Sequence, residues 1–264
     1  MNDRHFRLAP LLENNLYRYV QTQGDDFDLI PSGSNGLILS FQVVRDENTR
    51  AMLFLKEEAD VLFDTLSIAK TEWLKKNLDP TKFKIISAPG ESISHLALNT
   101  DRPLLSDPSF RTKIANALPL QSWIDYLFLN WVEPISLPKK ESDSRPFSPP
   151  IELKYLSTSS REGQQIAHLT REALNKIGIK VNIHIYEPSL FYAKIKKREF
   201  DLFSSTSVPG TTNILDLPHT ELIPLFRWKH GLILNSRIKI PDQLDSYLDY
   251  SFRFLSRLHL QSSS

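Results

Sequence analysis

The chain reads as an α/β protein in two lobes, and three features of its 264 residues lead there. Segments of strand and helix character alternate at lengths suited to β-α-β units. The alternation falls into two blocks, separated by the polar, proline-dense stretch "EPISLPKKESDSRPFSPP". A strand, "SISHLALN", leads out of the first block towards the second, as a hinge segment would. The composition suits a folded domain, with 41% hydrophobic and 24% charged residues. Lys and Arg, 32 together, nearly balance the 31 Asp and Glu, so no bulk charge is directed at nucleic acid or an anionic membrane.

In the first block, "ILSFQVV" (residues 38–44) is rich in apolar and β-branched side chains and reads as a strand. Asp46 is placed to cap the next helix, "ENTRAMLFLKEE". "ADVLFD" returns to strand, "SIAKTEWLKKNL" to helix and "FKIISA" to strand, which predicts a largely parallel sheet. Short apolar runs are ambiguous in period, so an α+β domain with scattered hairpins fits the same pattern. "SISHLALN" is a further strand, "TDRPLLSDP" a turn-rich connection and "SFRTKIANALPLQSWIDYLFLNW" a helical region. Asp107 followed by Pro108 is a favoured helix start. Pro119 lacks a backbone donor and should end or kink the first helical piece.

The second block repeats the alternation. "IELKYLS" is a strand, and "REGQQIAHLTREALNKIG" a helix closed by Gly178. "IKVNIHIYE" is a strand, "PSLFYAKIKKRE" a helix with Pro188 at its start, and "FDLFSST" a strand followed by a hydroxyl-rich loop, Ser204 to Gly210. "ELIPLFRWKHGLILNS" supplies one or two strands, and "DQLDSYLDYSFRFLSRLH" a final helix. No solenoid-type repeat is present.

Several of these segments, in this order, resemble the extracellular solute-binding proteins of the peptide/nickel class (family 5) of ABC importers. "LKEEADVLFD" is similar to that family's "GEADV"-like strand, and "SHLALNTDRPLLSD" to its hinge strand, with Asn99 in the terminal polar position. "DPSFRTKIANAL" matches the following helix through Asp107, Phe110, Arg111 and Ala117, but has Lys113 and Pro119 where Ala and Asp are usual. The stretch from "IELKYLS" to "FDLFSS" is similar to the second-lobe signature, and "ELIPLFRWKHGLIL" to the return segment. The order and spacing of these motifs, over residues 38–250, carry the resemblance. Only some 37 residues precede "ILSFQVV", and the usual Trp and acidic residues after "FDLFSS" are missing.

The resemblance implies a periplasmic-binding-protein-like fold of type II with the first lobe incomplete. Residues 1–92 then form part of the first lobe, and 93–210 the second lobe with a linker at 133–150. Residues 211–264 return to the first lobe and end in the C-terminal helix. It also implies an oligopeptide-type solute captured between the lobes, docking on an ABC permease, and a periplasmic or extracellular location. A second chain completing the first lobe is a further partner compatible with its shortness. The alternative is a cytoplasmic sensor domain or a non-transporting scaffold of the same fold. "MNDRHFRLAPLLENNLYRY" has no apolar centre for a signal peptide and there is no lipobox cysteine, which leaves a cytoplasmic location open.

The ligand-binding residues expected on this reading are Asn99 and Thr100, at the end of the hinge strand, with Ser204, Ser205, Thr206 and Ser207. Ligands of open parallel sheets bind beyond the carboxyl ends of strands, where that second group falls. The competing readings are turn chemistry for Asn99 and an ordinary surface loop for the serines. Arg111 can clamp a carboxylate or phosphate, or serve only a local structural contact. Catalysis is not expected. With no cysteine, thiol chemistry and disulfides are excluded. The histidines lack zinc-site spacing, and no serine-nucleophile elbow, phosphate loop or dinucleotide fingerprint occurs. No metal or cofactor is therefore expected. "KIKKRE" ends a helix, where cations complement the macrodipole, rather than forming a nucleic-acid patch.

Overall fold

The structure, a computed structural model, describes residues 12, 15–33, 37–135, 146–207, 221–239, 255 and 259–260. Two compact units divide the chain: Met1–Glu91 with Lys229–Ser264, and Ser92–Trp228. Two long strands pass through this division, β5 (Phe83–Leu98) outwards and β10 (Leu222–Asn235) back. The predicted strands "FKIISA" and "SISHLALN" are thus one strand of 16 residues. Pro89 inside it lacks an N–H for the ladder, yet its fixed φ is compatible with extended backbone.

In the first unit, β1 (Tyr17–Gln21), β2 (Phe27–Pro31) and β3 (Leu39–Phe41) form an antiparallel sheet. Phe27 stacks on Tyr19 and Phe41, with ring centroids 5.1 and 4.6 Å away. The strand expected over 38–44 is therefore shorter, three residues paired to β2. Asp46 caps α1 (Glu47–Leu55), accepting from the Thr49 amide at 2.7 Å. β4 (Val61–Phe63) pairs antiparallel with Leu232–Leu234 of β10. Ser67 caps α2 (Ile68–Asn77), and its own amide donates to Glu47 in the first turn of α1, which ties the two helix starts together. Ala51, Phe54, Leu62, Leu74, Phe83 and Ile233 close this core. The helix expected over 242–259 lies almost wholly outside the described residues.

The second unit opens with β5's last residues, followed by α3 (Pro103–Ser106), α4 (Pro108–Ala117), α5 (Leu120–Tyr126) and β6 (Val132–Pro134). Asp107 caps α4 ahead of Pro108 at its first position, and Pro119 separates α4 from α5, as predicted. β7 (Ile151–Thr158), α6 (Arg161–Asn175), β8 (Ile179–Tyr186), α7 (Pro188–Lys196) and β9 (Leu202–Ser207) follow. β7 runs parallel to both β8 and β9, the outcome of two β-α-β crossovers. β5 is antiparallel to β9, and β6 to Phe226–Trp228 of β10. The sheet is thus mixed, not largely parallel, because β5 enters the second unit against the direction of the crossover strand β9, and β6 runs against β10. The pairing of β6 with β10 falls within the second unit, whose bounds are Ser92 and Trp228.

α6 buries Ile166, Ala167, Thr170, Ala173 and Leu174, a single stripe at helical spacing. On the other side of the sheet, Phe191 and Ile195 of α7 pack with Ala97, Leu156, Phe200 and Phe203. Gly178 ends the α6 turn at φ +77°, and a Cβ there would sit 2.5 Å from the Phe147 carbonyl oxygen. Glycine is needed here on two counts, handedness and space.

Gly178→Ala is accordingly expected to lower unfolding stability by roughly 2 kcal/mol. Urea denaturation would show this as a lower midpoint with an unchanged slope. Phe54→Ala, which empties a fully buried position, should cost about 3–5 kcal/mol in the same measurement.

Candidate functional site

The six residues expected to contact a ligand are distributed over one antiparallel strand pair of the second unit, and the register decides what each can do. β5 and β9 pair from Ile93↔Ser207 to Leu98↔Leu202. Asn99 and Thr100 therefore follow one end of the ladder, while Thr206 and Ser207 lie at the other. Ser94, opposite Thr206, is five residues from Asn99, which is ~17 Å of extended chain. The two groups stand at opposite ends of the ladder.

Asn99 is buried, and both of its amide protons are used within the fold. Its Nδ2 donates to the carbonyls of Arg198 and Phe200, at 3.0 and 2.8 Å, and its Oδ1 accepts from the Asp101 amide. The side chain thereby joins the turn after β5 to the turn before β9. Thr100 donates to Glu221, and Arg198 forks onto the same carboxylate at 2.6 and 2.8 Å while its Nε reaches Asp101. Arg198 itself stands in the left-handed region at φ +57°, as the first turn beyond α7 requires. Glu221 is 2% exposed. Burial pushes its carboxyl up, but the Arg198 and Thr100 hydrogen bonds outweigh this and hold it below its ordinary value. The same contacts raise the Arg198 guanidinium, Glu221 foremost. Sequence gave no sign of this clasp, because its acid and base are 23 residues apart.

Ser204 to Ser207 form the last four positions of β9, so the strand expected over "FDLFSST" holds and runs on through Ser207, into the stretch read as a hydroxyl-rich loop. The Ser207 hydroxyl donates to the Ile93 carbonyl at 3.3 Å. Ser94 Oγ and Thr206 Oγ1 are 2.8 Å apart, and the Trp228 indole donates to Ser94 Oγ at 2.7 Å. Trp228 is half-buried and meets Phe128 and Phe226 edge-on, with centroids at 5.6 and 5.5 Å. Beneath this edge, Tyr155 is fully buried. Burial pushes its phenol up, with Ser204 and Thr170 beside it acting in the opposite sense. The strand after which α6 begins ends in Ser157 and Thr158, and Ser160 caps that helix. Because β7 and β9 are parallel, the hydroxyls of both strand ends fall at one carboxyl edge of the sheet. Ser94, Trp228 and the Ser157–Ser160 run, which stand at this edge, were not singled out from the sequence. The run of four hydroxyls was a visible signal, but it reads equally as an ordinary helix cap.

The remaining polar candidates have local roles. Arg111 donates to the Leu105 and Ser106 carbonyls at 3.0 and 2.7 Å, closing the end of α3. Lys194 pairs with Glu199 at 3.0 Å within "KIKKRE". His184 is exposed on β8, with its ring near that of Tyr186. Among the described residues no group of three or more His, Asp or Glu could hold a metal ion. No helix of the described residues is long and apolar enough to cross a membrane.

No family model matches the chain, and no curated protein matches it in sequence. Solved structures do match it in fold. NikA from Brucella suis, in complex with Fe(III)-EDTA, superposes with a TM-score of 0.74 at 14% identity, covering 93% of this chain and 68% of that one. The ABC transporter-associated periplasmic binding protein DppA from Helicobacter pylori, in complex with the peptide STSA, gives 0.65 at 14% identity, over 99% and 68%. The ABC transporter substrate binding protein CtaP from Listeria monocytogenes gives 0.74 at 14% identity, over 94% and 66%. The chain thus spans about two thirds of the length of these structures. At such identities the likeness is one of fold. The chain has the periplasmic-binding-protein-like α/β fold that its motifs resemble.

The clasp predicts a pH-dependent stability difference. Glu221's carboxyl is depressed in the folded state, so its contribution is complete above the unfolded value and is lost as pH falls through the folded one. Glu221→Gln should cost about 2 kcal/mol near neutral pH. In urea titrations the gap to the unmodified protein should narrow on acidification below the ordinary value of 4.5. A gap independent of pH would contradict the ionic role.

Proposed function

We propose that the chain is a non-enzymatic solute-binding protein of an ABC importer, acting outside the cytoplasm and taking a peptide-like solute for delivery to a membrane permease. The observation that carries this reading is the fold match over more than nine-tenths of the chain to binding proteins of ABC transporters, one of them holding a tetrapeptide. The hydroxyl-lined carboxyl edge of β7 and β9 supports it, since open α/β sheets bind ligands beyond that edge. Within this site we assign solute contact to Ser205, Thr206 and Ser207. We assign Asn99 and Thr100 to holding the turn that ends β5, and Ser204 to the layer beside Tyr155.

A second reading is a sensor or non-transporting scaffold of the same fold. It is favoured by the internal hydrogen bonding of Asn99, Thr100 and Ser94, which leaves fewer polar groups for a solute.

The two readings part in a thermal-shift screen. A binding protein should be stabilised by the peptide STSA or by di- and tripeptides of mixed sequence. The gain should approach ~2.7 kcal/mol at a hundredfold excess over the dissociation constant. Stabilisation by a metal chelate or opine alone would retain solute binding and overturn the peptide assignment. No response to any of these solutes would favour the scaffold.

A further inference from the structure

We propose that Trp228, Ser94 and Thr206 form a directed hydrogen-bond relay whose free end, the Thr206 hydroxyl, selects a solute carrying an acceptor oxygen, either a carboxylate or an amide carbonyl. This inference rests on the solute-binding reading above. The direction of the relay follows from the donor inventory. An indole N–H can only donate, so at 2.7 Å from Trp228 Nε1 the Ser94 oxygen is the acceptor. Ser94 is 1% exposed, and a hydroxyl proton so buried needs an acceptor inside the protein. Thr206 Oγ1, at 2.8 Å, supplies it. Thr206 therefore accepts from Ser94, and its own proton is left to point away from the relay.

The remaining observations fit a recognition role. Thr206 is exposed, whereas Ser94 behind it is buried. Ser94 and Thr206 are directly opposed in the antiparallel register, so their side chains share one face and cannot slip apart without breaking the ladder. Phe128 and Phe226 hold the indole edge-on, which fixes the start of the chain of donors. Bonds in such a series polarise one another, so the terminal hydroxyl is a stronger donor than an isolated threonine. A terminal donor of this kind favours carboxylate or carbonyl oxygen and disfavours ammonium or amide nitrogen.

The test uses the full chain with its tryptophans labelled with ¹⁵N, the Trp228 indole resonance being assigned through Trp228→Phe. STSA and its C-terminal amide are the probes. The unmodified protein should shift the Trp228 resonance on binding. Thr206→Val should weaken binding about tenfold, while Thr206→Ser, which keeps the hydroxyl, should stay within about twofold. Ser94→Ala should move the Trp228 resonance in the free protein and reduce the shift produced by peptide, a readout that survives if Thr206→Val fails to fold. Equal binding by the unmodified protein and Thr206→Val, or a Trp228 resonance indifferent to both Ser94→Ala and peptide, would overturn the relay while leaving solute binding intact. Failure of both peptides to bind the unmodified protein would overturn the peptide reading and the relay together. A preference for free STSA over its amide would identify the acceptor as the carboxylate, and equal affinity would identify a carbonyl.

Discussion

The second unit is registered on the last residues of β5. Leu96, Ala97 and Leu98 are each wholly buried and Asn99 nearly so, as expected of a strand covered on both faces. Such a strand cannot shift by one residue without exchanging its two faces. Its antiparallel pairing with β9 therefore sets where Phe203 meets α7, where Ser204 meets Tyr155 and where Thr206 emerges at the edge. The same strand contributes Phe83 and Ala88 to the two cores of the first unit. One continuous backbone thus positions three separate apolar clusters.

Polar chemistry is divided between the two ends of that strand pair. At one end the charges are paired and partly buried: Arg198 bridges Asp101 and Glu221, and Arg102 meets Asp201 at 3.0 Å. A carboxylate as buried as Glu221 is stable only with its charge matched, which ties the start of β10 to the turn after β5 and the turn before β9. At the other end the groups are neutral, hydroxyls and an indole, and they reach the exposed edge. Neutral donors and acceptors can exchange a water partner for a solute at small cost, whereas opening the clasp would leave a buried carboxylate unpaired. The first end suits rigidity and the second recognition.

Much of the fold was legible in sequence because it rests on local physics. The caps Asp46 and Asp107, the breaks at Pro119 and Gly178, and the alternation of β7, α6, β8 and α7 are each decided within a few residues. The periplasmic-binding-protein-like architecture was implied by the resemblance of the quoted motifs, in their order and spacing, to the peptide/nickel-class binding proteins. The candidate site was only half legible. "SSTS" was visible as a hydroxyl run at the end of the strand "FDLFSST", but where strand gives way to loop was not, because pairing with β5 extends the strand through Ser207. The structural contacts of Asn99 were not legible, because its partners, the carbonyls of Arg198 and Phe200, are about a hundred residues away in sequence.

Sequence by itself thus determined the kind and order of the elements, their caps and breaks, and the absence of thiol chemistry. Those properties depend on backbone preferences and side-chain identity at short range. Tertiary structure alone decided that β5 is one strand, that the sheet is mixed, and that Trp228 stands behind Ser94 and Thr206. These depend on register between strands more than a hundred residues apart, where no local preference acts and only the burial of whole faces selects the pairing.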